Sequence, residues 1–181
     1  MFNINRIKFL SRSFWIVVMV ITAHLCMVMT GCINDGPGGE EYSLQPGAVM
    51  PHFEVVTTDG DTISDESLAG RWSVIVLFSP DCPDCLRELP IMQKAYEEGR
   101  LPGDGAVQDE VGEDADIRWI CISRSATYEA VRDVWERERL TMPVSVQTDA
   151  AVFRLFASSG VPRVYIFGPD RRLVEELNLD R

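Results

Sequence analysis

Residues 72–85 constrain the fold of this chain more than any other stretch. Trp72–Phe78 (WSVIVLF) is a near-continuous apolar run, the pattern of a strand covered on both faces at the centre of a sheet. Three residues later come Cys82-Pro83-Asp84-Cys85. Pro83–Glu98 then reads as a helix: Leu86, Leu89, Ala95 and Tyr96 share one side, while Arg87, Glu88, Gln93, Lys94, Glu97 and Glu98 face outward. Pro83 falls in the first turn, where its missing N–H costs nothing. Pro90 is internal and predicts a kink. A central strand that runs into a pair of thiols at a helix start limits both the architecture and the chemistry.

The remaining elements extend this pattern. Phe53–Thr57 reads as a strand, Asp59-Gly60 as a hairpin turn and Thr62-Ile63 as the return. Ser64–Gly70 is a short turn or helical piece. Gly99–Asp116 holds four Gly and six acids and reads as a long solvated loop; its spacing does not fit a calcium-binding loop. Ile117–Ser123 is a second buried strand. Ala126–Leu140 is an amphipathic helix with Tyr128, Val131, Val134 and Trp135 inward. Val144–Gln147 is a strand, and Ala150–Ala157 a short helix with Val152, Leu155 and Phe156 inward. Val164–Phe167 and Leu173–Leu177 form a closing hairpin around Gly168–Arg171. Strands that first alternate with helices and then pair as a hairpin give an α/β fold with a mixed sheet flanked by helices.

The first residues read as an address. Arg6, Lys8 and Arg12 precede the apolar stretch Phe14–Thr30, which ends at Met29-Thr30-Gly31-Cys32. A basic segment followed by an apolar one is the form of a secretory signal. The tetrapeptide resembles a bacterial lipobox, with Met29 where Leu is usual, and the resemblance implies lipidation at Cys32. Residues 1–31 are thus expected to be a lipoprotein signal, 32–46 a flexible Gly- and Pro-containing tether, and 47–181 the folded domain. The expected location is the bacterial cell envelope, lipid-anchored and facing the periplasm or the extracellular side, where disulfides persist. The 150 residues after the leader carry 14 basic and 28 acidic side chains. That balance argues against nucleic acid as a partner, because phosphate backbones bind cationic surfaces.

The chemistry resides in Cys82 and Cys85. Unpaired backbone N–H groups and the positive end of the helix dipole surround the first sulfur and stabilise its thiolate, the species that attacks a disulfide. The second thiol, one turn on, resolves the resulting mixed disulfide. Cys82 is therefore the expected nucleophile and Cys85 the resolving thiol. A structural zinc site needs four ligands, and beyond this pair the chain after residue 32 offers Cys121 and His52 at no matching spacing. No metal and no cofactor are expected beyond a redox-active Cys82–Cys85 disulfide. Cys121, in the second central strand, reads as an inert buried thiol. Asp81 and Asp84 flank the nucleophile; nearby negative charge disfavours a thiolate, partly offset by Arg87 and Arg163. The expected direction is reductase or isomerase rather than strong oxidase. Both acids also suit helix capping.

The strand, the thiol pair and the helix with its internal proline resemble the thioredoxin superfamily, and more closely its membrane-tethered thioredoxin-like members of the TlpA/ResA type. The opening Gly47-Ala48-Val49-Met50-Pro51-His52-Phe53, the hairpin around Asp59-Gly60, Leu68-Ala69-Gly70-Arg71, and Glu88 and Pro90 after the thiols carry that resemblance across about Gly47 to Leu177. It implies a thioredoxin-like fold with an N-terminal β-hairpin extension. It also implies that Gly160-Val161-Pro162 is the cis-proline loop facing the thiols, with Val161 and Pro162 at the substrate-binding surface. The chain departs from the family in three places. Asp81 replaces the usual aromatic. Val76 stands where a buried Asp helps move a proton off the resolving thiol, leaving water or an acid such as Glu88. No C-terminal helix is evident after Leu177, so one sheet face is expected to be exposed or covered differently. The resemblance implies protein disulfides as substrates and a membrane or periplasmic thiol as electron donor. Two other readings stand beside it. One is a peroxiredoxin-like peroxidase, whose expected Thr and Pro before the reactive Cys are here Ser79 and Ile75. The other is a non-catalytic envelope binding module.

Overall fold

The computed structural model describes residues 42–103, 107–108, 111–112 and 115–177. The leader, Cys32, the first part of the tether and the loop acids Asp104, Asp109, Glu110, Glu113 and Asp114 lie outside the described residues.

The fold is built on β3 (Trp72–Phe78), whose alternating side chains enter two separate cores. Val74, Val76 and Phe78 point to one face, Ile75 and Leu77 to the other, and all are at most 1% exposed. Burial on both faces explains the unbroken apolar run. β4 (Ile117–Ser123) pairs with it in parallel from Trp72↔Ile117 to Phe78↔Ser123. β5 (Val144–Ser145) adds in parallel beyond β4. On the other side β6 (Arg163–Phe167) is antiparallel to β3, and β7 (Leu173–Leu177) is antiparallel to β6. The sheet order is β5-β4-β3-β6-β7, with β1 (Glu54–Val56) and β2 (Thr62–Ser64) as a separate antiparallel hairpin. Gly60, at φ +91°, makes the hairpin turn that a side chain would strain.

The helices follow from this strand order. The β3-to-β4 and β4-to-β5 connections step the same way across the sheet, so crossovers of one hand place both helices on one face. There α1 (Pro83–Glu97) contributes Cys85, Leu89, Met92 and Ala95, and α2 (Tyr128–Glu138) contributes Val131 and Val134, to the core over Val74, Val76, Trp119 and Cys121. The opposite face, with Ile75, Leu77, Ile120, Ile122, Tyr165 and Phe167, is covered by α3 (Phe153–Phe156) and by Leu44, Met50, Phe53, Val55 and Leu68.

The structure departs from the sequence expectations at several points. Tyr42–Pro46, expected to be tether, joins the fold. Tyr42 N donates to Ser158 Oγ (2.7 Å), Ser158 N to Tyr42 O (2.8 Å) and Leu44 N to Phe156 O (3.1 Å), and Leu44 is buried. The flexible composition is concentrated in Gly36–Gly39, whereas Leu44 gains apolar contact beside Phe156. Gln93, expected outward, is buried because its amide is fully used. Its oxygen accepts from Thr141 N and Met142 N, and its nitrogen donates to Thr141 Oγ1 and Glu97 Oε1. Leu155 is exposed: α3 is a single turn, and turning Phe153 and Phe156 inward points Leu155 away. Tyr128, at the first position of α2, is half exposed, and cover by the sheet begins one turn later at Val131. Part of the acidic loop is also core. Leu101 and Val107 are buried with Val164 and Ile166, and Gly103 lies against Leu177. This loop thus adds apolar residues to the α1-face core, with Gly103 beside Leu177 of β7.

Candidate active site

β3 ends at Phe78, and the turn through Ser79 sets Cys82 as the N-cap of α1, with φ −90° and ψ 114°. Cys82 N donates to Ser79 O (3.2 Å) and Leu86 N to Cys82 O (3.1 Å), so the turn is bonded on both sides of the cysteine. Pro83 occupies the first turn of the helix. The cap bond itself is made by sulfur: Cys85 N–H donates to Cys82 Sγ at 3.3 Å. The sulfur thus lies at the N-terminus of α1, the positive end of the helix dipole. Cys82 is half-buried.

The Cys82 thiol in turn donates to Val161 O at 3.4 Å. The Val161–Pro162 peptide bond is cis, and Val161 touches both cores from a half-buried position. The loop before β6 and the start of α1 are adjacent in sequence to β6 and β3, which pair as neighbours, and the register Leu77↔Arg163 brings them together.

Cys85 is completely buried and differs chemically from its partner. Burial pushes its thiol well above the ordinary range, and the hydrogen bond with Cys82 and the charges of Cys82 and Asp84 push the same way. Ser79 N–H, which donates to Cys85 Sγ at 3.5 Å, opposes the rise. The pair thus combines a half-buried sulfur that caps the helix with a buried sulfur that holds its proton. Ser79 was passed over as a contributor to the pair because it acts through its backbone N–H, which any residue but proline supplies.

Asp84 pairs with Arg87 (2.9 Å), and Arg87 reaches Glu88 (3.7 Å). Arg87 is therefore placed to offset Asp84. Arg163 is not: its guanidinium turns to Glu176 on β7 (2.6 Å) rather than to Asp81 or Asp84. Asp81 is exposed, while the Glu88 side chain is only 16% exposed, one turn along α1 from Cys85. Val76 is buried within the core. Cys121 is fully buried with its sulfur 3.9 Å from Met142 Sδ, and burial pushes its thiol well up. His52 projects from the N-terminal segment, bonded through Nδ1 to the buried Asp65 (2.8 Å), which Arg171 also meets (2.8 Å).

The fold is thioredoxin-like, and the comparisons with known proteins report what the chain is similar to. The AhpC/TSA family model matches residues 46–103, about a third of the chain. Thiol-disulfide oxidoreductase ResA of Bacillus subtilis is 23% identical over 164 residues, covering 91% of this chain and 84% of that protein. Thiol-disulfide oxidoreductase ResA of Bacillus cereus is 20% identical over the same length, with 91% and 86% covered. Among solved structures, the thioredoxin domain of a thiol-disulfide oxidoreductase from Bacteroides vulgatus superposes with a TM-score of 0.59 at 18% identity, over 74% of this chain and 89% of that one. StoA from Bacillus subtilis superposes with a TM-score of 0.55 at 17% identity, over 73% and 90%. The chain has a thioredoxin-like fold and is similar in sequence to proteins named thiol-disulfide oxidoreductase ResA.

Proposed function

We propose that this chain is an extracytoplasmic thiol–disulfide oxidoreductase that acts on protein disulfides through the Cys82–Cys85 dithiol, as reductase or isomerase. The observation that carries the reading is the asymmetry of the pair. Cys82 Sγ, at the start of α1, receives the Cys85 N–H and is half open, while the Cys85 thiol is buried and holds its proton. The Cys82 thiolate attacks one sulfur of a substrate disulfide, forming a mixed disulfide and expelling the first substrate thiolate, which takes up a proton. Cys85 then gives up its proton, to water or to the neighbouring Glu88 carboxylate, and attacks Cys82 Sγ. The second substrate thiol leaves, the Cys82–Cys85 disulfide forms, and two electrons have passed to the substrate. A dithiol donor re-reduces the pair. Val161 offers its backbone to an extended substrate segment in the manner of strand addition, and Pro162, with no N–H, shields the sulfurs. The leader and Cys32 support placement in the cell envelope through a lipid anchor.

Relatives named ResA and neighbours with thioredoxin-like folds support the activity. The AhpC/TSA match keeps a peroxidase as the second reading. Against it, the position where a peroxidase carries proline is Ile75, fully buried in the middle of β3 and paired with Ile120 and Tyr165. The test is reduction of insulin disulfides in the presence of dithiothreitol. The wild-type chain is expected to accelerate it and Cys82→Ser to abolish the acceleration, with no Cys82-dependent consumption of hydrogen peroxide. Peroxide consumption that Cys82→Ser removes, without insulin reduction, selects the peroxidase.

A further inference from the structure

The loop that faces Cys82 is held from behind by a charged clamp that the dithiol mechanism does not use. Arg163 follows the cis bond and opens β6, and its side chain folds back along the loop. Nε donates to Ser159 O at 2.8 Å. Nη1 donates to Glu176 Oε1 at 2.6 Å and to Ser43 Oγ at 3.2 Å. Ser43 Oγ gives its proton to Glu176 Oε2 at 2.7 Å and lies 3.0 Å from Tyr165 Oη. Arg163 and Glu176 are only 15% and 23% exposed, so solvent screens the pair far less than an open surface pair. One planar guanidinium thus binds a loop carbonyl, a carboxylate on β7 and the entering N-terminal segment at once, a division of contacts that an ammonium point charge does not reproduce.

The loop is shaped around that group. Gly160 has φ +73°, and a Cβ there would stand 3.3 Å from Arg163 Nη2. The backbone conformation favours glycine at this position, and a side chain there would also press on the guanidinium. The next residue is Val161, whose carbonyl accepts the Cys82 thiol proton.

We propose that Arg163 is a positioning residue: clamped by Glu176 and Ser43, it holds the Ser159–Pro162 loop so that the Val161 carbonyl faces the Cys82 thiol. The carbonyl stabilises the protonated sulfur, whereas the Cys85 N–H stabilises the thiolate. The position of the loop therefore sets the balance between them. The catalytic meaning of this clamp rests on the dithiol reading above; the geometry of the clamp does not.

The test is the pH profile of Cys82 alkylation by iodoacetamide in the full chain, read by site-resolved mass spectrometry. Three variants are compared with wild type. Arg163→Met with Glu176→Gln removes the clamp without changing net charge. Arg163→Lys keeps the charge but loses the fork. Val55→Ala weakens the core under the hairpin, away from the loop. The double variant is expected to move the midpoint down by roughly half a unit to one unit, the size of one lost hydrogen bond. Arg163→Lys is expected to move it less, in the same direction, and Val55→Ala not at all. A double variant whose profile superimposes on wild type overturns the proposal, as does a Val55→Ala shift of the same size. If the double variant does not fold, Arg163→Lys decides by the same two outcomes. Wild-type protein that leaves insulin disulfides intact while the shift appears removes the oxidoreductase reading and leaves the positioning role standing.

Discussion

Cys82, Cys85 and Cys121 are the same chemical group in three different settings. Cys82 meets a backbone N–H at a helix start, Cys85 lies one turn deeper, and Cys121 is sealed in β4 beside Met142. Both buried thiols are pushed well above their ordinary value of 9.0, Cys85 and Cys121 alike chiefly by burial, and burial pushes the Tyr165 phenol up to about 12. An unfolded chain releases these thiol protons as pH passes about 9, while the folded chain keeps them. The native state then binds more protons, so stability is retained below that point and falls above it, by up to about 1.4 kcal/mol per pH unit for each group. Urea unfolding under reducing conditions at pH 7, 9, 10 and 11 is expected to show this fall. In Cys121→Val the slope above pH 9 is expected to be shallower by up to one such group. An unchanged slope would mean that Cys121 is not held protonated by the core. The placement of Cys82 and Cys85 at the start of a helix that follows a buried strand was legible from their spacing and from the strand before them. The contributions of Ser79 and Arg163 were not, because one acts through its backbone and the other through a fold-back contact that no spacing encodes.

At the level of elements, periodicity was informative wherever one element faces one environment. β3 and β4 are buried on both faces and read as apolar runs, and α1 and the β6–β7 hairpin were placed within a residue or two for the same reason. Periodicity failed where a segment mixes roles. In the loop after α1, acids dominate the composition, yet Leu101 is 1% exposed and belongs with Val107 to the same core as the β6 residues Val164 and Ile166. A few apolar residues among many charges have no period, so composition read the segment as solvated. Leu101→Ala is expected to cost about 2–5 kcal/mol by urea unfolding, as for a buried core leucine. A loss below about 0.5 kcal/mol would return the segment to the solvent. Tyr42–Leu44 failed for a related reason: one buried leucine, two backbone–backbone bonds and one bond to the Ser158 hydroxyl fix it to Phe156 and Ser158, beside a tract whose composition is rich in glycine.

For the whole molecule, part of the acidity that argued against nucleic acid is paired with arginines within the fold. Asp84 is paired with Arg87, Glu176 with Arg163 and Asp65 with Arg171, so many acids are neutralised within the fold. The sheet order joins the two halves of the site: β3 delivers the thiols, its antiparallel neighbour β6 delivers the Val161–Pro162 loop, and the N-terminal segment braces that loop from behind. The central claim is that Cys82 attacks a disulfide and Cys85 releases the product. Its most direct measurement is the intact mass of the Cys85→Ser chain after exposure to a disulfide-bonded peptide. The account predicts a stable adduct of one peptide half, mapped to Cys82, that is absent in Cys82→Ser and transient in wild type. An adduct absent from Cys85→Ser, or carried by Cys121 instead, would contradict it.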